Sequence, residues 1–98
     1  MRKTSIEELQ SLMNEIENFA EKGFSSENLE AGVLNWSELL YRWEEAGALA
    51  YIAYTLDTAD EEAEKTYEFL LSASEKTEPL FFQMKENFFK SGPQENLN

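Results

Sequence analysis

The sequence has no cysteine and no histidine. Without cysteine there is no disulfide and no thiolate site, and the redox compartment leaves no mark. Without histidine the commonest catalytic base is missing, and so is every zinc site that needs imidazole. Basic residues are scarce as well. Eight lysines and arginines face 20 acids, for a net charge of −12. A phosphate backbone needs a basic surface, so nucleic acid is not an expected partner. An anionic membrane surface is disfavoured for the same reason. Long apolar runs are missing too. The longest uncharged stretches fall far short of the ~20 residues that span a bilayer. Met1, Arg2 and Lys3 are followed by no apolar h-region, so an export signal is not expected and the chain reads as cytoplasmic.

What is present is enough for one small helical domain. The chain has 98 residues, 42% hydrophobic and 13% aromatic. A chain of this size buries roughly 60–65% of its unfolded surface, which supports one modest core. Helical periodicity runs through nearly all of it. Ile6, Leu9, Leu12, Met13, Ile16, Phe19 and Ala20 recur at three- and four-residue spacing. Ser5 with Glu8 reads as a capping box. Lys22 then Gly23 is a stop, with Phe24 positioned to fold back on the helix. The first helix is expected over residues 6–22.

Ser25 and Ser26 are candidate caps for a second helix over about 27–56. Its expected core stripe is Trp36, Leu40, Trp43, Gly47, Ala50 and Tyr54. Gly47, Ala50 and Ala53 would let a neighbouring helix approach closely. Asp57-Thr58-Ala59-Asp60 reads as a turn, with Thr58 and Glu61 as a second capping box. The third helix then carries Ala63, Tyr67, Leu70, Leu71, Ser74, Phe81, Phe82, Phe88 and Phe89 as its core stripe. Pro79 should kink or split it. Ser91-Gly92-Pro93 ends it. The expected fold is all-α: a three-helix up-down bundle with a long projecting helical hairpin. Residues 1–92 form the domain and 93–98 a flexible tail.

The hairpin raises a question of cover. Ala46 to Leu56 is eleven residues without a charge, and a dense acidic run follows. Dipole-favoured acids at a helix start account for that run. Leu49, Ile52 and Leu56 lie on a face largely opposed to the core stripe. Phe69 and Leu80 lie off the third helix's stripe. The first helix is too short to reach the tip. These five residues are the candidate interface, although apolar residues at a wide core boundary would look similar.

No constellation carries chemistry. Asp57, Asp60, Glu61, Glu62 and Glu64 lack the EF-hand spacing, and a solvated helix start explains them. Paired carboxylates would need a pocket that raises one pKa, and none is evident. A serine nucleophile would have no imidazole beside it. No catalytic, metal or cofactor-binding residue is assigned, and no cofactor is expected in this chain.

The segment LLYRWEEAGALAYIAYTLDTADEEAEKTYEFL resembles the N-terminal helical region of oligoendopeptidase F-like zinc metallopeptidases. The matching positions are Tyr51, Asp57, Thr58 and Asp60, within a looser likeness over residues 6–89. The resemblance implies a helical region that packs beside a catalytic domain and helps wall its peptide-binding cleft. The family's H-E-x-x-H belongs to that later domain, and no catalytic residue maps onto this chain. The implied partner is the metallopeptidase catalytic domain. A rival reading from the residues alone is a free-standing acidic helical adaptor or inhibitor, binding a protein partner or a second copy of itself.

Overall fold

Ser5 starts the first helix as its spacing predicts. Its Oγ accepts the Glu8 N–H at 3.1 Å, and α1 runs Ile6–Lys22. The Glu8 carboxylate does not return to the cap. It accepts two hydrogen bonds from Arg2, at 2.8 and 2.9 Å. Gly23 closes the helix at φ 73°, a left-handed conformation that favours glycine, and donates to the Phe19 carbonyl at 2.9 Å. In this computed structural model residues 2–24 and 26–91 are described. The expected cap Ser25 and the expected tail 93–98 lie outside them.

A single 3₁₀ turn, Ser26–Asn28, leads into α2, Leu29–Leu56. The expected Thr58 cap is corrected at the next start. Asp57 Oδ1 accepts the Ala59 N–H at 3.1 Å, which shapes the turn. Asp60 Oδ1 accepts the N–H groups of Glu62 and Ala63, at 3.0 and 3.3 Å. Asp60 is therefore the cap of α3, Glu61–Ser91. Pro79 does not split that helix, which continues through it. The Thr77 hydroxyl donates to the Ser74 carbonyl at 3.3 Å in the turn before it.

All three helices pack against one another in up-down-up order. Arg2 reaches Glu45 at the start of α1, and Phe19 meets Trp36 near its end, so α1 and α2 are antiparallel. Tyr54 stacks on Tyr67 and Trp36 packs on Phe81, so α2 and α3 are antiparallel too. The molecule is a rod of 58 × 23 × 18 Å. No strand occurs among the described residues.

The core lies where the three helices meet. Leu9, Leu12, Ile16, Leu39, Trp43, Ala46, Ala50, Leu70 and Ala73 form one buried cluster. Gly47 lies against Leu70; a Cβ there would sit 3.3 Å from Leu70 Cδ1, so the missing side chain sets the helix separation. The α3 stripe is rotated from its expected position. Leu71, Phe82 and Phe89 are exposed, while Thr66, Ala73, Thr77 and Met84 are buried. On α2, Leu39 and Ala46 are buried, and Trp36, Leu40, Gly47 and Tyr54 are half-buried on the flank. The reason is geometric. Each helix must face two neighbours, so its buried arc centres between them, and a stripe facing one neighbour falls on the flank.

Candidate functional site

The hairpin tip is built from residues far apart in the sequence. The extended segment before α1 lies across the base of the tip. The Thr4 hydroxyl is buried and donates to the Ala46 carbonyl at 2.8 Å. Lys3 Nζ lies 3.6 Å from Asp60 Oδ2. These contacts come from residues that the expectation for the first helix did not consider. The helix is short, but the residues before Ser5 extend its reach. The Asp60 carboxyl is held below its ordinary range by the Ala63 N–H first, with smaller help from the Glu62 N–H and Lys3, against partial burial. The Arg2 guanidinium is held above its ordinary range chiefly by its bonds to Glu8, with Glu45 adding to them.

Beyond the strap the tip is open. Leu56 is 73% exposed and Ile52 40%, while Leu49 is half-buried. Phe69 and Leu80 are half-buried and pack against the core cluster. The structure therefore brings Leu49, Ile52 and Leu56 onto the end of α2 and places the other two against the core.

A second apolar surface was missed by pattern reading. A cavity of about 340 Å³ opens between α2 and α3 near the end of α1. It is lined by Phe24, Trp36, Leu40, Phe81, Phe88 and Phe89 among others, and none of its lining residues belongs to α1. Phe24 bridges it, with ring centroids 5.6 Å from Phe19 and 5.8 Å from Phe88. Trp36, Leu40, Phe81, Phe88 and Phe89 stand in the expected core stripes, so the pattern marks them as apolar without showing that they line an opening.

Among the described residues no group of three or more carboxylates is placed to hold a metal ion, and no helix is long and apolar enough to cross a membrane. Every buried side-chain polar atom among them has a partner. The described residues therefore form an all-α, three-helix domain with an open apolar tip and an apolar groove on its surface. The family described as Peptidase M3 N-terminal domain matches residues 1–98, and the chain belongs to that family. Neither the curated proteins nor the solved structures contain a match to it.

Proposed function

We propose that this chain is the non-catalytic N-terminal helical domain of an oligoendopeptidase F-like zinc metallopeptidase. It packs beside the catalytic domain and contributes to the wall of the peptide-binding cleft. The observation that carries this reading is the family match over residues 1–98 of a chain without histidine. An M3 peptidase needs ligands for its zinc, and imidazoles are the usual ones. They must come from outside these residues. The open tip supports the packing role. Burying a large aliphatic side chain is worth roughly 1.5–3 kcal/mol, so Leu56 and Ile52 contribute more when covered than when exposed.

The test is association with an H-E-x-x-H catalytic domain of the same polypeptide, supplied as a separate chain. The two should co-elute. The triple variant Leu49→Ser, Ile52→Ser, Leu56→Ser should keep its helical circular dichroism and lose the complex. No association with the unmodified chain overturns the packing role. An undiminished complex with a folded variant removes the tip from the contact.

A further inference from the structure

The α2–α3 side of the rod that α1 does not cover has its own chemistry. Leu71, Phe82 and Phe89 lie along it, 51%, 64% and 49% exposed. Their spacings of eleven and seven residues are whole numbers of turns to within about 20°, so they form one line on α3. On α2, Val33 and Leu40 line the same cavity as Phe89, and the Tyr51 ring lies 5.7 Å from that of Tyr67 on α3. The Phe-lined cavity opens at one end of this line and includes Phe89.

Phe82 decides what kind of partner fits. It shares a second, open cavity of about 580 Å³ with Glu75, Glu78, Pro79, Gln83 and Glu86. None of these three glutamates takes part in an ion pair among the described residues. An exposed ring beside three uncompensated carboxylates is a seat for a cation, held by the ring face and the acids together. Lys85, which lines the Phe-lined cavity, is the one basic side chain lining either hollow.

We propose that this face is a docking groove for a basic amphipathic helix. The helix would place a bulky apolar side chain in the Phe24–Trp36–Phe88 cavity and a lysine or arginine over Phe82. The groove resembles the helix-in-groove mode, in which anchors at three- and four-residue spacing enter an apolar trough. A second copy of this chain is the wrong occupant. Each copy carries a net charge of −12, and pairing through this face would bring the acids beside Phe82 towards another equally acidic surface.

The probe is a synthetic leucine–lysine peptide of about five helical turns, with leucines at i, i+3, i+4 and i+7. Its controls are a scrambled peptide of equal composition and a leucine–glutamate version. Trp36 lines the cavity, so its fluorescence reports occupancy. The unmodified chain should bind the amphipathic basic peptide saturably. Both controls should bind at least about tenfold more weakly, which corresponds to 1.4 kcal/mol. Leu71→Gln, Phe82→Gln, Phe89→Gln together should weaken binding by a similar factor with helicity retained. Glu75→Gln, Glu78→Gln, Glu86→Gln together should do the same and should also flatten the salt dependence. Equal binding of the scrambled peptide, or undiminished binding by both folded variants, overturns the proposal. So does a dimer of the unmodified chain that the Leu71, Phe82 and Phe89 changes abolish.

Discussion

Trp43 is the largest side chain in the buried cluster, 6% exposed. Nothing small fills its volume. Trp43→Ala should destabilise by about 3–5 kcal/mol, the usual cost of deleting a large buried aromatic. The denaturant midpoint checks this, and an unchanged midpoint would refute it. Asp60 gives a pH-dependent counterpart. Its folded pKa is lowered, so the charge contributes its full stability above the unfolded value near 3.8. That contribution is lost as pH falls through the lower folded value. Asp60→Asn keeps a side-chain oxygen for the Glu62 and Ala63 N–H groups and removes the charge. The unmodified chain should be the more stable at pH 7, with the gap closing as pH drops below about 4. Urea midpoints at pH 7 and pH 2 measure it, and a gap of the same size at both would contradict the assignment.

At the scale of elements, α1 and the end of α2 were readable to the residue, because Ser5, Gly23 and the acids after Leu56 punctuate the chain strongly. The register of α3 was not. Its buried positions include Thr66 and Thr77, which a hydropathy pattern treats as polar. Their hydroxyls donate to their own helix, to Glu62 and Ser74, so both residues pack like small apolar ones. Phenylalanines drew the expected stripe towards themselves, although Phe82 and Phe89 face outward. The candidate tip was legible as an apolar run, whereas its strap was not, since nothing in Arg2-Lys3-Thr4 signals contact with residues 45, 46 and 60. Pro79 is exposed within α3 and cannot donate to the Glu75 carbonyl. Pro79→Ala restores that donor and should stabilise by about 1–2 kcal/mol, somewhat less than the full helical penalty because proline also stiffens the unfolded chain. Thermal unfolding followed at 222 nm checks it, and a lowered midpoint would mean that the ring supports the bundle.

For the whole molecule, the chain alone should cleave no peptide in a short library, with or without added zinc. It has no imidazole to hold a catalytic zinc. Chelator-sensitive cleavage by the pure protein would refute this. The placement of α1 also bears on how the chain acquires its fold during synthesis. Leu9, Leu12 and Ile16 leave the ribosome before the rest of their cluster, which includes Leu70 and Ala73. Lys3 finds Asp60 only after 57 further residues have been made. Until then the nascent chain carries an uncovered apolar stripe, the kind of surface that chaperones shield. The α2 part of the cluster, Leu39, Trp43, Ala46 and Ala50, is made before the α3 part, so the full cover of α1 is complete only once the last helix has been made.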